Sequence, residues 1–122
     1  MVTDAEWTRI RRSLRFGQVF EGTVVKVPRP GVIGIFVDIG LSVGGFVDAM
    51  WLSGEIEDWP VEGTVADFKI FWADSRQQIR LVPCDSRYLR SDFTAVVDRI
   101  RPNWSSVVGR PVPDPAAASL DE

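Results

Sequence analysis

The chain has no histidine, one cysteine and two lysines among its 122 residues, and each shortage closes off chemistry. Without histidine there is no imidazole base, no Ser-His-Asp or Cys-His arrangement and no histidine-ligated metal. One cysteine, Cys84, excludes an intrachain disulfide and any multi-cysteine zinc site. No run approaches 18 apolar residues, so no helical membrane span is expected. The first residues carry Asp4 and Glu6 ahead of any base and lack an apolar signal core, so a cytoplasmic location is the default expectation. What is present is a foldable composition: 45% hydrophobic, 25% charged, with ten glycines, eight prolines and five tryptophans. That is enough apolar surface for one domain and too short a chain for two ordinary ones.

The net charge of −3 argues against a general polyanion binder, whose affinity rests on neutralising phosphates. The charge is uneven, however. Residues 1–15 place Arg9, Arg11, Arg12 and Arg15 against Asp4 and Glu6, whereas residues 16–83 hold five basic and nine acidic groups. Arginine binds phosphate and base edges well and also forms ordinary ion pairs. The N-terminal cluster therefore reads either as a solvated helix face or as a nucleic-acid contact.

Thr3 to Ser13 is predicted to be a short helix. Thr3 can cap it, Glu6 stands three residues on, and Trp7, Ile10 and Leu14 form one apolar stripe. A helix this short is marginal alone, so Trp7 is expected to anchor it. Gly17 breaks the pattern. Five strand signals follow: Val19–Val27, Val32–Ile39, Gly45–Met50, a period-two stretch ending at Trp72, and Gln77–Val82. Pro28 to Gly31, Gly40 to Gly44 and Asp74-Ser75 are the turns. The longer connection from Trp51 to Pro60 has room for a helical turn near Glu55. Five short strands with that spacing predict an all-β core, a five-stranded OB-type barrel, antiparallel throughout. Beyond Pro83, Leu89, Phe93, Val97 and Ile100 predict an amphipathic helix over 87–101, ended by Pro102. The expected organisation is an N-terminal helix (1–16), a barrel (17–83), a C-terminal helical extension (84–108) and an unpacked, disordered tail (109–122) rich in proline and alanine.

The stretch from Gly17 to Val82 resembles an S1-type RNA-binding domain. The pieces that carry the resemblance are Gly17-Gln18-Val19-Phe20-Glu21-Gly22-Thr23-Val24, Gly34-Ile35-Phe36-Val37-Asp38-Ile39-Gly40, Gly44-Gly45-Phe46-Val47-Asp48, Val61-Glu62-Gly63-Thr64-Val65, Asp74 and Ile79-Arg80-Leu81. The resemblance implies single-strand recognition by bases stacking on aromatics while cations track the backbone. Phe36 falls at the family's stacking phenylalanine and Asp74 at its aspartate after the fourth strand. Ile33 stands where a second aromatic is usual, Asp48 where many members have histidine, and Gln78 where arginine is common, with Arg76 and Arg80 nearby. Asp48 would put a carboxylate on the binding face and repel phosphate.

The candidate nucleic-acid contacts are thus Phe36, Asp74, Lys26, Lys69, Arg76, Arg80, Arg9 and Arg12. Phe36 reads as a base platform, a packing residue or a protein contact. Lys26 and Lys69 read as phosphate contacts or as parts of a solvated strand face. The tryptophans read chiefly as packing residues. Asp38 with Asp48, and Glu55 with Glu57, resemble catalytic carboxylate pairs, but a small barrel lacks the cleft that such pairs need. Cys84 has no evident base and reads as a buried or edge residue. The expectation is a non-catalytic module without cofactor or metal that binds single-stranded RNA weakly. The alternative is an OB-type protein-interaction module that has lost nucleic-acid binding.

Overall fold

The computed structural model describes residues 2–73 and 76–112. Helix α1 spans Asp4–Arg12, and the Thr3 hydroxyl accepts a hydrogen bond from the Glu6 N–H at 3.1 Å, as the capping pattern requires. Asp4 and Glu6 occupy its first turn and Arg9, Arg11 and Arg12 its last, the arrangement the helix dipole favours. Trp7, only 4% exposed, enters the main core with Leu14 and anchors the helix as expected.

The barrel strands are β1 (Val19–Lys26), β2 (Gly34–Asp38), β3 (Gly45–Asp48), β4 (Val65–Ala73) and β5 (Ile79–Pro83). They close in the order β1-β2-β3-β5-β4, an OB-type barrel, as the spacing predicted. One expectation needs correction: β3 and β5 pair in parallel. The chain path requires it. β4 returns antiparallel to β1, and β5 turns back from β4, so β5 meets β3 running the same way. Ile35, Val37, Val47, Phe68, Ile70, Ile79 and Leu81 fill the interior and are almost fully buried. The connection from β3 to β4 holds short 3-10 turns at Ala49–Trp51 and Ile56–Asp58, the second close to the helical turn expected near Glu55.

Gly34 shows why β2 must begin where it does. Its φ is +138°, and a Cβ there would run into the Val47 carbonyl oxygen. Only glycine combines that backbone conformation with so close an approach of β3.

Two expectations for the C-terminal part are revised. A continuous helix over 87–101 does not form. Ser86–Tyr88 is a 3-10 turn, and α2 is confined to Phe93–Ile100. Between them Leu89 bridges Leu52, the Ser53 N–H donates to the Tyr88 carbonyl, and the Arg90 N–H donates to the Trp51 carbonyl. These bonds divert the backbone groups that a helix would use. The buried face of α2 is consequently Val96 and Val97, packed with Trp51, Phe71 and Val82 on the outside of the barrel. Leu89 is only partly buried, and Ile100 is 50% exposed. A last helical turn, α3 (Trp104–Val107), follows. The tail predicted to be unpacked from Gly109 is instead held as far as Val112. The Phe16 N–H donates to the Arg110 carbonyl, Gly109 donates back to Phe16, and Val112 is 4% exposed within the main core. Residues 113–122, the rest of that predicted tail, lie outside the described residues.

Candidate nucleic-acid interface

Strand register brings one line of side chains across the outside of the barrel. Lys26 is the partner of Phe36, Phe36 of Phe46, Phe46 of Arg80, and Arg80 of Trp72. Direct cross-strand partners project from the same face of a sheet. Five strands thus supply one row reading Lys, Phe, Phe, Arg, Trp. Neighbours along the strands, Ile35, Val37, Val47 and Leu81, point inward and are buried, which fixes the row to the outer surface.

The row is tightly packed. The Phe36 and Phe46 rings lie 5.0 Å apart at a tilt of 50°. The Arg80 guanidinium lies over Phe46 at 5.1 Å. Phe46 is therefore nearly covered, at 6% exposure, while Phe36 remains half-buried and Trp72 exposed. An aromatic pair contributes about 0.5–1.5 kcal/mol beyond its burial, and an exposed cation–π contact about 0.5–1 kcal/mol. Phe36 and Arg80 are thereby pre-positioned. Beside them a pocket of about 180 Å³ is lined by Phe46, Asp48, Trp51, Phe71, Trp72, Arg80 and Leu81.

Asp48 lines that pocket. Its carboxylate also caps the 3-10 turn that follows: Oδ1 accepts the Met50 N–H at 3.0 Å. Asp38 does similar work, accepting the Gly40 N–H at 2.9 Å. Both carboxylates that resembled a catalytic pair are thus engaged in turns. Glu55 and Glu57 are exposed. Among the described residues no group of acidic residues and cysteine is arranged to hold a metal ion, and no helix is long and apolar enough to cross a membrane.

The other sequence candidates are dispersed. Arg76 lies at the rim of a separate pocket with Ser42, Val43, Gly44 and Gln77, between the β2–β3 and β4–β5 turns. Ile33 is exposed just before β2, and Gln78 is half-buried just before β5. Lys69 sits opposite Val19 and Val82, three positions along β4 from Trp72. Its charge acts on Cys84: burial pushes that thiol pKa up, Lys69 opposes the shift and Asp67 adds to it. Cys84 itself stands exposed just past β5, an edge position. Arg9 and Arg12 are exposed on α1, not on a strand of the row. Arg15 folds back to donate to the carbonyls of Arg12 and Leu14, which caps the end of that helix. Asp74 lies outside the described residues.

Sequence reasoning missed the far end of the row. Arg101, at the C-terminus of α2, lies 4.4–5.1 Å from four aromatic rings: Trp72, Phe71, Trp104 and Phe16. Its guanidinium donates to the Phe71 carbonyl. No carboxylate pairs with it among the described residues, and burial alone lowers its pKa. The only signal available in the sequence was an abundance of tryptophan.

No protein-family model matches the chain, and no curated protein matches it. Solved structures resemble its shape. The solution structure of GSP13 from Bacillus subtilis is 14% identical, with a TM-score of 0.49, over 89% of this chain and 72% of that one. A chain of the a/eIF2alpha-aDim2p-rRNA complex from Pyrococcus horikoshii is 18% identical, with a TM-score of 0.46, over 70% of this chain and 51% of that one. An uncharacterised protein from Methanocaldococcus jannaschii is 16% identical, with a TM-score of 0.45, over 59% of this chain and 97% of that one.

Proposed function

We propose that this protein is a non-catalytic module that binds single-stranded RNA weakly through the outer row Lys26, Phe36, Phe46, Arg80 and Trp72. The observation that carries this reading is the row itself. Register sets two cations and three aromatic rings in one line on one surface, which is what a stacked, backbone-tracking single strand needs. The S1-type resemblance of the same strands leads to the same ligand. Affinity is held down by Asp48 beside Phe46 and by the small number of cations on the barrel. Fluorescence anisotropy with a short unstructured RNA at low salt tests this. Wild type should bind measurably, and Phe36→Ala should weaken binding by about 1–3 kcal/mol, the usual cost of losing a base–aromatic stack. Absence of binding by both wild type and Asp48→Asn would retire the reading.

A second reading, a protein-interaction module, is favoured by a different surface. Val32, Ile33, Ile56 and Val61 are exposed apolar residues. Ile56 and Val61 border an open groove of about 420 Å³ with Val27, Pro30, Trp59 and Pro60. Exposed apolar surface of this kind suits a protein partner. It predicts a protein that ignores RNA and whose partner is lost on Val61→Glu.

A further inference from the structure

We infer that the C-terminal extension carries a second nucleotide subsite, in the pocket of about 370 Å³ between Trp72 and Trp104. This rests on the RNA reading above and extends it beyond the barrel. Trp72 lines both this pocket and the Phe46–Arg80 pocket, so the two sites share one indole. Phe16 stacks against Trp72 at 5.5 Å, Arg101 lies 4.4 Å from Trp72, and Arg101 lies 5.1 Å from Phe16. These three separations close a near-equilateral triangle, which puts Phe16 and Arg101 on one side of the indole. The rest of Trp72 stays accessible, at 37% exposure.

The remaining walls are Ile100, Arg101, Pro102, Trp104 and Val107. Flat aromatic and apolar walls suit a nucleobase. Arg101 supplies a cation that no carboxylate neutralises among the described residues, so the field there complements an anion. A base together with its phosphate meets both requirements. A strand lying along the row therefore continues past Arg80 and Trp72 onto α2 and α3, and its next nucleotide occupies this pocket.

Ile100 at the rim gives a test that spares the fold, because it is half exposed and outside the buried clusters. Anisotropy with a labelled octauridylate should show Ile100→Glu weakening binding roughly 3- to 10-fold, the size of one unit-charge contact near a wetted surface. Ile100→Lys should strengthen it by a similar factor and steepen the salt slope by about 0.7. Diuridylate, too short to span both pockets from the Phe36 end, should be insensitive to either change. The thermal midpoints of both variants should match wild type. If Phe36→Ala weakens octauridylate binding but neither Ile100 variant shifts it, the subsite is overturned and the barrel reading stands. If wild type binds no RNA, both fall. If an oligoglutamate of equal charge displaces octauridylate equally well, the pocket is an acidic-peptide site and the nucleotide assignment is overturned.

Discussion

Trp72 and Arg80 face each other across the β4–β5 ladder, immediately past an irregularity that places one extra residue, Phe71, between the partners of Leu81 and Arg80. An extra residue of this kind is a β-bulge, and it re-aims the side chains that follow. Phe68 and Ile70 point into the barrel and are fully buried, Ala73 is buried again, and Trp72 turns outward. The bulge leaves Phe71 in the outer cluster under α2 and turns Trp72 out to the end of the row. Interface and C-terminal extension are joined by this one extra residue.

Asp48 separates charge from capping in a single pair of variants. Asn caps about as well as Asp, whereas Ala costs about 0.5–2 kcal/mol at such a position. Asp48→Asn should leave the urea midpoint nearly unchanged and tighten RNA binding. Asp48→Ala should tighten RNA binding as well while lowering the midpoint. If Asp48→Asn binds RNA no better than wild type, the carboxylate does not face the bound strand.

Gly34→Ala tests the β2–β3 register on which the row depends. The positive φ alone should cost about 1–3 kcal/mol, and the approach of the Val47 carbonyl adds to that. Chemical denaturation measures the loss. A variant as stable as wild type would mean that the strands can separate at this end without consequence.

The Cys84 thiol should be a slow nucleophile at neutral pH, because burial raises its pKa and the opposing Lys69 charge only partly offsets this. Alkylation rates followed against pH should rise later than those of a free thiol. Lys69→Ala removes the cation that favours the thiolate and should delay the rise further. An unchanged profile would place Lys69 away from the sulfur.

The stability of the segment before α2 should weaken in acid. Arg90 bonds both carboxylate oxygens of Asp92, and this bonding lowers the Asp92 pKa. A carboxyl group with a lowered folded pKa adds stability above its unfolded pKa and loses it as pH falls through the folded value. Both groups are exposed, so the effect should be small and screened by salt. Amide exchange near Arg90 should quicken below the ordinary aspartate range. Asp92→Asn should remove that dependence.

Local patterns in the sequence foretold a good deal. Thr3 and Glu6 marked the start of α1, Trp7 its anchor, and β-branched runs between glycine-rich turns marked five strands, because these signals act within a few residues. Phe36 and Arg80 were legible as single candidates, but their connection through Phe46 was not. It depends on the parallel β3–β5 pairing, which follows from the closed path of the chain rather than from any local pattern. Strict alternation put Trp72 on the same face as Phe68 and Ile70, and the bulge reversed that. The helix expected from 87 was interrupted because Leu89 and Arg90 bond the chain near Trp51, far away in sequence. The Arg101 cage draws its four rings from three separate segments, so no spacing could announce it.

Amide chemical-shift mapping with a short unstructured RNA at low salt most directly tests whether the row is the binding surface. The largest shifts should fall on Lys26, Phe36, Phe46, Trp72 and Arg80, with weak, salt-sensitive affinity and little change along Ile56 to Val61. Shifts centred on the Ile56–Val61 groove, or none at saturating RNA, would contradict it.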